Sequence, residues 1–338
     1  MTAVVVTRRL LPPVEAALKL LVVAACYYVA GRIGLLSQVV VEGVVVTPIW
    51  PPTGVAVAAL LMFGVQVWPG IALGSFLVIA SIVTPQMTTL VNVAGNTLAP
   101  LCAYYCLRRI GFRLDISRLR DGLALVFLGG LGAMLISATI GVGVQAVNGD
   151  LDRGEFWAVW LSWWVGDAMG VLLVTPLLLL LVGVGRAPWG RRWLEAACLA
   201  VAALVIVPLG ALGETSLLFL VFPLLIWAAL RFQLAGSTLC ALFSSVLTTY
   251  AANTGKGAFL NLSKVEIMVK LQAFNGATAL TALLLSALVT EQIATRRSVQ
   301  SACDELAEVL DHLAAGEMPP EVPPRHLPDP SRAEGDPA

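Results

Sequence analysis

Apolar runs broken by short polar clusters dominate the chain from about residue 15 to residue 290. Ten such stretches stand out, near 15–36, 52–64, 68–84, 88–108, 121–145, 156–182, 194–212, 216–231, 234–252 and 268–290. A helix that crosses the hydrocarbon core of a bilayer needs about 20 apolar residues. The second, third and eighth stretches fall short of that, and are read as tilted, paired or re-entrant. Backbone that breaks at membrane depth must be enclosed by protein or face a water-filled cavity. The pattern predicts an all-α, polytopic integral membrane helical bundle of eight to ten transmembrane segments, followed by a short cytoplasmic helix.

After the last stretch the pattern changes. Val299, Cys303, Leu306, Leu310 and Leu313 recur at alternating intervals of four and three in an otherwise polar segment, the spacing of a coiled-coil seam. Gly316 is a natural helix stop, and residues 317–338 hold seven prolines among charged and small residues, a composition that cannot build a core. The organisation expected is a cytoplasmic N-terminal segment at 1–14, a membrane domain at 15–290, an amphipathic or coiled-coil helix at 291–316 and a disordered tail at 317–338. The apolar run after Arg8, Arg9 and the Pro12-Pro13 pair lacks a small-x-small cleavage site, so it is read as an uncleaved first helix.

Composition sharpens this picture. The 338 residues are 58% hydrophobic and 12% charged, with a mean hydropathy of +0.87, whereas soluble domains carry about 25% charged residues. Lipid, rather than water, is the solvent such a chain can use. Arginines collect in alternate loops: Arg8 and Arg9; the group from Arg108 to Arg120; Arg186, Arg191 and Arg192; Arg231; Arg296 and Arg297. The opposite loops hold Glu42, the group from Asp150 to Glu155, Glu214, and Lys256 to Glu266. Because short cytoplasmic loops gather Lys and Arg, both termini are placed in the cytoplasm, in a multi-pass protein of the cytoplasmic (inner) membrane. Arg231 is expected to snorkel to headgroups, with pairing to a buried acid as the alternative. The formal net charge of zero gives no footprint for nucleic acid.

Candidate chemistry concentrates in the sixth stretch. Trp157, Trp160, Trp163, Trp164 and Asp167 fall within three turns of helix, and Asp167 lies about 16 Å in from the stretch's start at 1.5 Å per residue. A carboxylate near mid-membrane costs a few kcal/mol unless it is partnered or used. Trp160, Trp163, Trp164 and Asp167, with Asn92 and Asn96 of the fourth stretch and Trp50 at the Pro-rich mouth of the second, are the ligand-binding candidates, for a cationic or hydrogen-bonding small molecule. The competing structural readings are interfacial Trp belts, helix–helix hydrogen bonds for Asp167 and the asparagines, and a rigid helix start for Trp50. Catalytic residues, metal ligands and cofactors are not expected. The six cysteines read as small buried hydrophobes, the chain lacks nucleotide-binding and hydrolase motifs, and neither His312 nor His326 has a chemical partner in its surroundings.

Five motifs follow in order: Trp50-Pro51-Pro52-Thr53-Gly54; Trp68-Pro69-Gly70-Ile71; Gly95-Asn96-Thr97-Leu98; Trp163-Trp164-Val165-Gly166-Asp167, with Gly170 and Thr175-Pro176 beyond; and Pro223 to Phe232. Over residues 15–295 the chain resembles the MASE1 family, the membrane-associated sensor domain of the first type. The resemblance implies a bacterial sensory input module, with Asp167, Trp164, Asn96 and Trp50 at motif positions. Family members usually continue into a histidine kinase, a diguanylate cyclase or a related output domain. Here the helix and Pro-rich tail stand in that place, so relay to a separate cytoplasmic partner through a homodimer is expected. The alternatives are a small-molecule transporter or carrier subunit, whose hallmark is short Pro/Gly-interrupted helices beside a mid-membrane acid, and a remnant that lost its output.

Overall fold

The computed structural model describes residues 12–41, 44–149, 151–152, 154–181, 192–213 and 217–314. Most of the segment at 1–14, Gly316, the tail at 317–338 and the loop charges Glu42, Asp150, Arg153, Arg186, Arg191 and Glu214 lie outside the described residues. Within them the chain forms α1 (Pro12–Leu35), α2 (Pro51–Phe63), α3 (Trp68–Ala80), α4 (Met87–Arg109), α5 (Leu119–Asn148), α6 (Phe156–Leu181), α7 (Trp193–Leu212), α8 (Val221–Asn253) and α9 (Lys264–Ala314). Seven helices in the described residues are long and apolar enough to cross a membrane. At 13 residues each, α2 and α3 reach only about 20 Å at 1.5 Å per residue, short of the roughly 30 Å hydrocarbon core. Large apolar side chains such as Leu21, Leu204, Phe219 and Val269 are exposed, which acyl chains solvate and water penalises.

Helices α1, α2 and α3 form one packed group. Glycines let the backbones approach: a side chain at Gly70 would strike Leu20, one at Gly74 would strike Tyr27, and one at Gly31 would strike Val78. These pairs ascend together, so α3 runs parallel to α1. Helix α2 runs opposite, because its start at Trp50 and Pro51 lies on Gly34, near the far end of α1. The α2–α3 hairpin therefore dips to the level of Leu20 and returns, and Arg32 Nη1 donates to Ser81 Oγ at 3.2 Å beyond its rim.

Helix α8 is two arms. Gln233 is its non-helical residue, at φ 52° and ψ −138°. Leu217 and Leu218, before the first arm, lie on Gly210, while Gly257, after the second, lies on Ala211 and Leu212. The chain leaves the end of α7 and comes back to it, so it reverses at Gln233, where Gly236 sits against the Ala228 carbonyl. Arg231, beside the reversal, pairs with Glu195 of α7 at 3.5 Å. The guanidinium stays about half exposed while it holds this acid.

Two departures from the all-helical expectation are local. Val39–Val41 and Val44–Val46 pair as antiparallel strands, with Val41 opposite Val44. β-Branched valines suit a pleated ribbon. Helices α5 and α6 each widen into a π-helical segment, at Leu125–Gly132 and Gly170–Val174. The main core lies between α4, α5 and α6, around Leu107, Leu125, Met134 and Leu172, and extends to Leu225 and Phe232 of α8 and Leu271 and Leu283 of α9.

Helix α9 continues without interruption through residue 290, where the sequence placed a boundary. Near that point Glu291 Oε2 accepts the Leu119 N–H at 2.9 Å and so caps the start of α5. The chain from Gln292 onward belongs to a second unit, in which residues 294–311 are exposed. Its apolar positions Val299, Leu306 and Leu310 are 58%, 64% and 64% exposed.

Candidate functional site around Asp167

The Pro51-Pro52 pair occupies the first turn of α2, where prolines forfeit no helical hydrogen bond. This rigid start is driven into the side of α6. Trp50 N–H donates to the Gly166 carbonyl at 2.9 Å. Thr53 Oγ1 donates to the Asp167 carbonyl at 3.0 Å, and Thr175 Oγ1 returns a bond to the Gly54 carbonyl at 3.0 Å. A π-helical segment disturbs the regular i→i−4 ladder, and α2 answers carbonyls at the edge of that disturbance. Contact is so close that side chains at Gly54, Gly166 or Gly170 would strike the facing backbone.

That wedge seals Asp167, which is 1% exposed. Its carboxylate accepts a hydrogen bond from Ser137 of α5, and the Trp163 indole lies against it. Trp163 is itself seated on Gly141 of α5. On the other side stands Tyr27 of α1, fully buried, within the field of the Asp167 carboxylate and facing Ser75 and Trp50. Its hydroxyl completes no hydrogen bond of ordinary geometry within the described residues. Ser75 of α3 accepts from Asn96 Nδ2 of α4 at 3.1 Å. Two hydrogen-bonded pairs, Asn96–Ser75 and Ser137–Asp167, therefore flank the unbonded Tyr27 hydroxyl and Trp50 in one buried polar cluster that draws on α1 to α6.

The candidates divide on this geometry. Asp167, Trp163, Trp50 and Asn96 belong to this cluster. Trp160 and Trp164 stack on each other with ring centroids 5.7 Å apart, but their polar ends are engaged elsewhere. Trp160 Nε1 donates to Thr139 Oγ1 at 3.1 Å, and Trp164 Nε1 donates to the Leu131 carbonyl at 2.8 Å. Leu131 sits in the π-helical part of α5, so Trp164 performs there the service that α2 performs on α6. Asn92 Oδ1 is buried without a partner in the described residues, and no described contact joins it to the Asp167 cluster. Trp157, at 66% exposure, suits an interfacial belt.

Tyr27, Ser75, Ser137 and Thr53 were not among the ligand-binding candidates read from the sequence. A hydroxyl in an apolar helix is common and satisfies itself on its own backbone, so it carries no periodic signal. The one available cue for Thr53 was its place in the Pro-Pro-Thr-Gly helix start.

Chemically, the arrangement is a low-dielectric compartment with one acid, several hydroxyls and an amide. It suits recognition of a small polar or cationic group, with no group of three or more His, Cys, Asp or Glu able to hold a metal among the described residues. The model of the MASE1 family matches residues 19–293. No curated protein and no solved structure matches the chain.

Proposed function

The chain belongs to the MASE1 family, and from that membership we propose that it detects a small polar or cationic molecule at the Asp167 network and relays the event through α9 to a separate cytoplasmic partner. The domain is a sensory membrane module and not itself catalytic. The observation that carries the ligand reading is the Asp167 cluster: a buried acid costly at mid-depth, bonded to Ser137 of α5 and, through its carbonyl, to Thr53 of α2, with the unpartnered Tyr27 hydroxyl of α1 within its field. A ligand that engages the carboxylate or the Tyr27 hydroxyl would change the packing of α2 against α6. Helices α5 and α6 also touch α9, at Gly122 against Ala287 and at Ser162, whose carbonyl accepts from Gln272 Nε2 at 3.3 Å.

The relay places residues 291–316 in the cytoplasm of a cell whose inner membrane holds the bundle, with both termini inside. The arginine-rich loops support this orientation. The proposed working unit is a homodimer joined through the exposed seam of α9, with a histidine kinase or a diguanylate cyclase as the output partner.

The test is a thermal-shift screen of small polar and cationic metabolites on the purified full chain, with Asp167→Asn alongside. A ligand at 100 times its Kd stabilises the folded state by about 2.7 kcal/mol, and the variant should lose that gain. Equal stabilisation of both proteins would remove Asp167 from the site. Uptake of the stabilising compound into reconstituted vesicles, abolished by Asp167→Asn, would favour a transporter over a sensor.

A further inference from the structure

A second polar cluster lies outside the Asp167 network, in the seam between the second arm of α8 and α9. The two helices are joined by a short connection and run antiparallel. Ser245 Oγ and Thr278 Oγ1 meet across the seam at 3.5 Å. Three residues further along each helix, on the same face, antiparallel register sets Thr248 opposite Asn275. Both are 0% exposed. Asn275 Oδ1, Asn275 Nδ2 and Thr248 Oγ1 all lack a hydrogen-bond partner in the described residues.

Most hydroxyls in the seam are satisfied on their own helix: Thr278 Oγ1 donates to the Phe274 carbonyl at 3.0 Å, and Thr249 Oγ1 to the Ser245 carbonyl at 2.7 Å. A primary amide has no such intrahelical outlet for its donors and acceptor together. Leaving even one of these groups unpaired in an apolar interior costs about 1–3 kcal/mol, and three unpaired atoms at one level mark a shared guest. We infer that Asn275 and Thr248 form a binding site for a water molecule that bridges the last membrane helix to α8. A buried water makes about three hydrogen bonds to groups of this kind. Water fits the mixed donor and acceptor character: the Nδ2 donor would oppose a cation, and no cationic side chain at this level would hold an anion. The inference does not depend on what the Asp167 network detects.

The test uses the full-length protein in lipid nanodiscs. A high-resolution density map of the wild type should show a solvent peak within hydrogen-bond reach of both Asn275 and Thr248. A direct Asn275–Thr248 hydrogen bond, or an empty site, overturns the inference. Thermal stability supplies a second readout. Asn275→Leu and Thr248→Val each strand the remaining partner and should lower Tm by a few degrees. The double variant removes the need for water and should recover most of the loss, while Thr248→Ser, which keeps the hydroxyl, should behave as wild type. Additive losses in the double variant count against a shared guest. Sodium-dependent stabilisation of the wild type that the double variant lacks would replace water with a cation.

Discussion

At the scale of single residues, the most constrained positions are those where α2 enters α6. Gly170 lies so close to Trp50 that an added methyl would meet the Trp50 carbonyl and the Thr53 hydroxyl, and the backbone there has no flexible end to yield. Gly170→Ala should cost about 3 kcal/mol or more, at the upper end of overpacking penalties, and appear as loss of the monodisperse peak in fluorescence-detected size exclusion. Gly143→Ala, which faces open space, should leave that peak unchanged. Ser137 sets a different test. Removing its hydroxyl takes one donor from a buried carboxylate, so Ser137→Ala should lower stability by about 1–3 kcal/mol. Part of that loss should return when Asp167→Asn is added, since the neutral amide is cheaper to leave underpaired. Thermal unfolding of the two single variants and the double variant measures the coupling, and strictly additive losses would mean that the two side chains do not share a bond. Asp167 was visible in the sequence because a lone acid in an apolar run has a price in lipid. Ser137 was not, because a serine there has almost none.

At the scale of elements, hydropathy located the apolar helices of the described residues, including the division of α8, where Arg231-Phe232-Gln233 interrupts two apolar runs. Hydropathy does not register how backbones deviate. The π-helical segments of α5 and α6 are as apolar as their surroundings, and the valine ribbon at 39–46 looks like any apolar run unless β-branching is weighed. Gln233 shows how sharply the geometry can depart from what composition suggests, since its φ of 52° with ψ of −138° lies where glycine is at ease and other residues are strained by about 1–3 kcal/mol. Gln233→Gly should therefore raise Tm by a few degrees. A fall in Tm would mean that the glutamine side chain contributes more than the strain removes. Glu291 joins two elements distant in sequence by capping the first turn of α5 from α9. Glu291→Ala should cost about 1 kcal/mol, as loss of a cap does, and the relay reading adds that a ligand-induced change should reach the cytoplasmic helix less efficiently in that variant.

At the scale of the whole molecule, what needs explaining is that the helical residues beyond the bundle carry large exposed apolar side chains in a regular order. Val299, Leu306 and Leu310 are each more than half exposed and, with the exposed thiol of Cys303, repeat at four and three residues. An isolated helix gains nothing from that spacing. Two parallel helices gain a seam of interlocked side chains. If the proposed dimer forms this way, single cysteines placed in turn from 299 to 310, with the native cysteines replaced by alanine, should cross-link in native membranes with a heptad rhythm. The maxima should fall at 299, 303, 306 and 310, where the helix axes bring Cβ atoms within disulfide reach, and the minima at 301 and 308, which point away from the seam. Leu306→Asp, which inserts a charge into the seam, should reduce the yield at 303 without altering the fold of the membrane bundle, as judged by its thermal unfolding. A flat profile would mean that the helices meet only by collision. A profile with maxima shifted by one or two positions would mean that they pair through another face, and the apolar row would then be left to receive the output partner instead of a second copy of the chain.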